Sequence, residues 1–364
     1  MINRENYRLM RAFLVYLEKV QQLDKATIAI YWQGLKHLLQ WSANRPFSDA
    51  PKIIPAFPEY LLTARNIRHE DDTDIGKPLT PKYMKKLLGE IRIFFHWLRL
   101  NERGFHTISE AWVETLKVRR SADTQSRLKE RFYWKLEDIQ KIAALKPACL
   151  RERRDIAALC FLYLSGMRVG AFVTLPLDCV DVDRRRIEQL PEKGVQTKNS
   201  KAAVTFLLPI PDLLEVVKAW DTYMRSQKGG IYNWYPALSH PEYGDGPKPG
   251  LLTGKYTGRA TAFVQGLKHL CTLAGLLYKS PHKIRHGFGV YGVKKAKDMA
   301  QMKAISQNMM HANMGITDGL YGRLAEEDLA DILSNFGEES STQNAPINFL
   351  PATSRKGGRS ARAE

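Results

Sequence analysis

The sequence predicts a mainly α fold with a small antiparallel β-sheet, an α+β chain in which an all-helical domain precedes a mixed one. Three observations predict it. Residues 5–118 carry apolar side chains at three- and four-residue spacing almost throughout. A single region, 180–209, is rich in β-branched residues. The chain has 364 residues, 44% of them apolar, enough for two cores at about 150 residues per domain.

In the first domain, Thr27 to Trp41 places Ile28, Tyr31, Leu35, Leu38 and Leu39 on one helical face. Thr80 to Leu100 does the same with Met84, Leu87, Leu88, Ile91, Phe95 and Leu98, and Thr80-Pro81 reads as a cap followed by a first-turn proline. Between these helices Glu70, Asp71, Asp72 and Asp74 read as a solvated loop. Residues 119–131 are polar and basic without apolar period and read as a linker. Beyond it Leu136 to Ala144 and Asp155 to Ser165 look helical. Val180 to Leu190 and Val204 to Pro209 look like strands about the polar segment Lys193 to Lys201, and helices resume at Leu213 to Arg225 and Ala260 to Leu276. Gly229 to Gly250, rich in Gly, Pro and aromatics, reads as a long surface loop packed on itself, with Tyr232, Trp234 and Tyr235 as alternative contacts for a partner. The resulting division is a helical domain over 1–118, a linker over 119–131, a second domain over 132–336 and a disordered basic tail over 337–364.

Lys plus Arg number 55 against 38 Asp plus Glu, a formal net charge of +17. A surplus of that size points to a polyanionic partner, of which nucleic acid is the commonest. On the helix from Thr80, Lys85, Arg92 and Arg99 recur every seven residues with Lys82 and Lys86 beside them. That stripe is read as a phosphate-contacting face, the alternative being a solvated one. The four cysteines form no CxxC or Cys/His cluster, so neither a disulfide scaffold nor a cysteine zinc site is expected. Charged residues interrupt the apolar ones at the N-terminus, and no apolar run is long enough to span a bilayer. The expectation is a cytoplasmic protein, away from membranes.

Four separated fragments of the second domain each hold a cation or a proton-transfer group: Arg168 in SGMRVGAFVTL, Lys198 in QTKNSKAAVTF, His282 and Arg285 in SPHKIRHGFG, and His311 and Tyr321 in NMMHANMGITDGLYGRL. Taken singly, each has an ordinary surface, capping or core reading. Taken in this order behind a basic helical domain, they resemble the tyrosine recombinase (phage integrase) family. His282-Lys283-Ile284-Arg285-His286 resembles its H-x-L-R-H box, and Tyr321-Gly322-Arg323-Leu324 its Y-x-x-L ending. Two departures mark this chain. Ala171 stands where the family's L-R-x-x-E string carries an acidic residue, and the stretch from His311 to Tyr321 is one residue longer than usual.

The resemblance implies a core DNA-binding domain followed by a catalytic domain, acting as a site-specific DNA recombinase or integrase, in all expectation of a mobile element. It implies a catalytic set of Arg168, Lys198, His282, Arg285, His311 and Tyr321, while Lys82, Lys85, Lys86, Arg92 and Arg99 remain the candidate DNA contacts read from charge alone. The chemistry of these residue types fits. Attack on phosphorus builds negative charge on non-bridging oxygens, and guanidiniums stabilise it with paired hydrogen bonds at any working pH. Tyr321 would be the nucleophile, His282 its proton acceptor or orienting group, His311 a donor to phosphate, and Lys198 the acid for the departing 5′ oxygen. The family's T-K-x-x-K string favours Lys198 over Lys193 and Lys201. A 3′-phosphotyrosine stores the bond energy, so no cofactor and no metal is expected. The i, i+4 pair His282 and His286 does not fit a zincin, which needs Glu after the first His where Lys283 stands.

The expected partner is double-stranded DNA with specific recombination sites, bound in the bacterial nucleoid. The amphipathic stretch Leu324 to Phe336 must bury its apolar face, either on its own domain or, as the resemblance implies, on a neighbouring protomer, giving a homo-tetramer on synapsed DNA and a monomer when free. A type IB topoisomerase and a non-catalytic DNA-binding regulator are the competing readings; formation of a covalent DNA adduct and joining of two duplexes separate the three.

Overall fold

A computed structural model describes residues 2–65, 76–118, 132–228, 230–239, 246–250, 257–311, 313–315 and 317. The linker 119–131, the acidic cluster at 70–74, Tyr321, the stretch Leu324 to Phe336 and the tail from 337 lie outside them. The chain divides into two compact units, Met1–Glu130 and Arg131–Glu364.

The first unit is helical as expected: α1 Arg4–Lys19, α2 Lys25–Ser42, α3 Phe57–Thr63, α4 Pro81–Asn101 and α5 Glu110–Thr115. Side-chain caps start several of them. Asp24 accepts from the Thr27 N–H ahead of α2, Thr80 from Tyr83 ahead of α4, and Ser109 from Trp112 ahead of α5. The six residues expected on the apolar face of α4 are all buried, and Phe94 and Trp97 widen that face. They pack with Phe13, Leu38 and Phe47 into one core.

The second unit opens with α6 Leu136–Ala143 and α7 Leu150–Ser165, followed by the short α8 Val169–Val173. Strands β1 Val180–Asp181, β2 Arg186–Gln189 and β3 Ala203–Phe206 form an antiparallel sheet in that order, with Ile187 opposite both Val180 and Thr205. The single apolar run expected from Val180 to Leu190 is thus two strands, because Arg185 takes a positive φ of 54° and turns the chain between them. Helices α9 Pro211–Ser226, α10 Thr257–Ala274, α11 His282–Lys295 and α12 Met299–Asn308 complete the unit. Its centre is α7, buried along nearly its whole length.

One expectation is corrected here. Residues 232–236, within the expected surface loop of Gly229 to Gly250, are buried: Tyr232 is 6% exposed, and Trp234 and Tyr235 are fully buried. Trp234 lies 4.4 Å from the Phe161 ring, its indole N–H donates to Asp221, and the Tyr235 hydroxyl donates to Asp155 at 2.7 Å. Three large aromatics bury more apolar area than the surrounding turn residues can hold at the surface. Asp155 also pairs with the buried Arg154 at 2.8 Å; burial raises its pKa, against the pull of Arg154.

Helix α11 lies directly on backbone. A Cβ at Gly287 would fall 2.1 Å from the Trp134 carbonyl oxygen, while the Trp134 N–H and indole N–H donate to the Lys283 and Lys279 carbonyls. Gly287→Ala is expected to lower stability by about 1–3 kcal/mol, the usual range for overpacking a tight core. Urea unfolding of the two proteins checks this.

Candidate active site

Helix α7 ends at Gly166, whose φ of +63° is the left-handed stop favoured by glycine. A side chain there would also meet the Phe288 ring within 3 Å. The chain leaves this stop through Met167 and reaches Arg168 at the N-cap of α8. That helix is only five residues long, so its dipole adds little and the positive field comes from side chains.

Arg168, Lys198, His282 and Arg285 line one cleft of about 450 Å³, together with Met167, Gln196 and Thr197. Lys198 opens a tight turn at the tip of the β2–β3 connection, where Asn199 and Ser200 both take positive φ, 59° and 49°. His282 starts α11, and Arg285 follows one turn later, 4% exposed. The Arg285 guanidinium donates to the Gly166 carbonyl at 2.6 Å and to the Met309 carbonyl. It therefore braces the turn before Arg168 and the turn before His311 while its charge stays at the cleft.

The position where an acidic residue was the family expectation is filled by Ala171, 2% exposed in the core. Helix α8 is held instead by burial of Ala171, Phe172 and Val173 and by Thr174. The Thr174 hydroxyl bonds back to the Gly170 and Ala171 carbonyls and accepts the Gln196 N–H at 2.9 Å, which ties α8 to the segment carrying Lys198.

His311 is half-buried two residues beyond Met309. Desolvation, then the charges of Arg285 and Arg168, lower its pKa to about 4. The His282 pKa is lowered too, by burial first and then by Arg285, Lys283 and Arg168. Both imidazoles are neutral near pH 7. The His311 Nδ1 lies 2.8 Å from the Thr317 hydroxyl; with that hydroxyl donating, the ring proton sits on Nε2, ready to donate to an anion. Thr317 was not anticipated from sequence, and neither were Gln196 and Thr197, although the last two adjoin Lys198.

The depressed His311 pKa has a consequence for stability. Below pH 6.5 the unfolded imidazole takes up a proton that the folded one refuses until about pH 4, so stability present at neutral pH is lost as pH falls through that window. His311→Gln is expected to remove part of the fall in unfolding temperature between pH 6.5 and 4, as read by calorimetry at several pH values.

The basic stripe of α4 divides in two. Arg92 pairs with Glu114 at 3.3 Å and Arg99 with Glu110, both carboxylates from α5. Lys82, Lys85 and Lys86 gather round Thr80 and Tyr83 at the other end, Lys86 lying 3.7 Å from Glu90. His96, Glu110 and Glu114 stand close enough to share a cation, but both carboxylates are engaged by arginines. The rings of His282 and His286 meet edge to face, 4.7 Å between centroids.

A helical unit, a mixed unit with a three-stranded sheet, and a cleft of two arginines, a lysine and a neutral imidazole describe a phosphodiester-transferring enzyme. The model of the Phage integrase family matches residues 135–328, and this chain belongs to that family, the tyrosine recombinases, which cleave and rejoin DNA strands. It is a site-specific recombinase. Among solved structures it is similar to the Tn1549 transposon integrase (residues 82–397 of that protein) in complex with circular intermediate DNA, at 13% identity and a TM-score of 0.56, covering 90% of this chain and 99% of that one. It is also similar to a lambda integrase dimer bound to a COC′ core site, at 13% identity and a TM-score of 0.51, covering 88% and 79%. No curated protein matches by sequence.

Proposed function

We propose that this recombinase cuts duplex DNA through a 3′-phosphotyrosine on Tyr321 and serves a mobile element. The supporting observation is the meeting of Arg168, Lys198, His282 and Arg285 round one cleft, with the His311 imidazole inside the fields of both arginines. A free phenol has a pKa of about 10, so the Tyr321 hydroxyl needs a base near pH 7, and it gives its proton to neutral His282 as its oxygen bonds to phosphorus. Charge grows on the non-bridging oxygens, where the two guanidiniums and the His311 Nε2–H stabilise it more than in the ground state. The P–O5′ bond breaks, and Lys198 protonates the departing oxygen. A second strand's 5′ hydroxyl then attacks the phosphotyrosine and regenerates the phenol.

The partner is double-stranded DNA carrying specific recombination sites, bound by a homo-tetramer at synapsis and by a monomer before it, in a bacterial cytoplasm and nucleoid. The likeness to a transposon integrase and to lambda integrase supports a mobile element as the source. Incubation with a duplex nicked beside the scissile phosphate tests the chemistry: the expected product is a denaturation-stable adduct that maps to the peptide carrying Tyr321. Relaxation of one duplex without joining of two would move the assignment to a topoisomerase, and absence of any adduct would leave a binding protein.

The divided stripe on α4 bears on DNA affinity. Arg92 and Arg99 pair with Glu114 and Glu110, and Lys86 with Glu90, so replacing Lys82, Lys85 and Lys86 with Gln, or the two arginines, is expected to flatten log affinity against log salt in proportion to the phosphate contacts each set makes. Every DNA phosphate that is no longer neutralised by a side chain reduces the slope by about 0.9 on a duplex. Filter binding across a salt series reads both slopes.

A further inference from the structure

Helix α7 ends inside the second unit, and its last carbonyls need donors that the helix cannot supply. Three distant groups supply them in sequence. The Leu208 N–H donates to the Leu164 carbonyl at 2.9 Å, the Asn308 side-chain amide to the Ser165 carbonyl at 3.1 Å, and Arg285 to the Gly166 carbonyl at 2.6 Å. Asn308 does more than cap. Its Nδ2 also donates to the Phe206 carbonyl at 3.0 Å, and its Oδ1 accepts the Phe206 N–H at 2.7 Å. The amide thus pairs with Phe206 as a neighbouring strand would, using both N–H groups and the oxygen.

We infer that Asn308 is a positioning residue for strand cleavage: through its bonds to Ser165 and Phe206 it fixes the turn that presents Arg168 relative to the turn that presents His311. Ser165 lies three residues before Arg168, and Asn308, the last residue of α12, lies three before His311. The two turns have no covalent connection for more than a hundred residues, so their spacing depends on such cross-links. Arg285 makes the second one, from Gly166 to Met309. Asn308 touches no reacting atom and acts by where it holds the groups that do. The inference rests on the catalytic reading given for Arg168 and His311.

The test compares single-turnover cleavage of a scissile phosphodiester with that of a scissile methylphosphonate, in which one non-bridging oxygen is a methyl group and the phosphorus centre carries no charge. A neutral centre has little use for the Arg168 charge. Asn308→Leu is expected to slow phosphodiester cleavage by about 10²-fold, the scale of misplacing reacting groups by 1 Å, with duplex binding retained and a distinctly smaller loss on methylphosphonate. Arg168→Ala in parallel is expected to show the same selective loss. The isosteric Asn308→Asp keeps an acceptor for the Phe206 N–H but loses both donors, and it serves the same comparison should the leucine variant fail to fold. Equal losses on the two substrates would make Asn308 a purely structural cap and overturn the inference, as would a folded variant that cleaves at the normal rate, provided Arg168→Ala behaves as expected. An Arg168→Ala protein that cleaves phosphodiester normally would instead remove the catalytic reading, and the inference with it.

Discussion

Arg285→Ala is expected to slow strand cleavage by about 10²–10³-fold, the cost of losing one preorganised donor to a developing oxyanion, and to lower the unfolding temperature as well. The second effect follows from the site's construction. Arg285 is 4% exposed and satisfies the Gly166 and Met309 carbonyls; its removal leaves two buried acceptors without their donor, at about 1–3 kcal/mol each. Arg285→Lys restores the charge but not the planar fork that reaches two carbonyls at once, so it should regain part of the stability and little of the rate. Cleavage of a nicked duplex under single-turnover conditions, beside thermal unfolding of both variants, separates the two contributions. A stable Arg285→Ala protein with normal cleavage would place the pocket elsewhere.

Tyr321→Phe is expected to abolish the covalent DNA adduct while leaving affinity for a single site nearly unchanged. The substitution keeps the ring and removes only the oxygen that would bond to phosphorus. Other tyrosines of the same unit are poorly suited to replace it. Burial raises the Tyr163 and Tyr278 pKa values above that of a free phenol, and Tyr291 packs its ring against Tyr163 at 6.3 Å. Denaturing electrophoresis of protein mixed with end-labelled nicked DNA reads the adduct directly. A persisting adduct in the phenylalanine protein would transfer the nucleophile to one of those residues.

How far the sequence was legible depended on the range of the interactions. The α4 stripe of Met84, Leu87, Leu88, Ile91, Phe95 and Leu98 was readable because helical period and burial coincide within a single element. That Arg168, Lys198, His282 and Arg285 meet round one cleft could be expected because the order of the fragments carrying them resembles the family's. Asn308 was not, because its partners are Ser165 and Phe206, more than a hundred residues away, and an asparagine at a helix end looks like any other. The pairing of Arg92 and Arg99 with Glu114 and Glu110 was hidden for the same reason: the charge stripe lies on one helix and its neutralising carboxylates on another. Trp234 and Tyr235 misled because turn residues surround them, whereas their destination is set by an aromatic core built from Phe161, Phe172 and Phe263.

The end of α7 sets limits on how this enzyme can be redesigned. Leu164, Ser165 and Gly166 draw their donors from three later parts of the chain, so a substitution at any one of those places alters the foundation shared by the others. The β2–β3 connection is different: Lys198, Asn199 and Ser200 are exposed, and the turn at its tip is closed largely by its own backbone. A library aimed at new substrates should therefore vary the exposed positions of the connection, with Lys198 kept, and leave residues 164–168, 285 and 308–311 constant, since variation in the first set is filtered mainly by activity and variation in the second is filtered by folding before activity can be assayed.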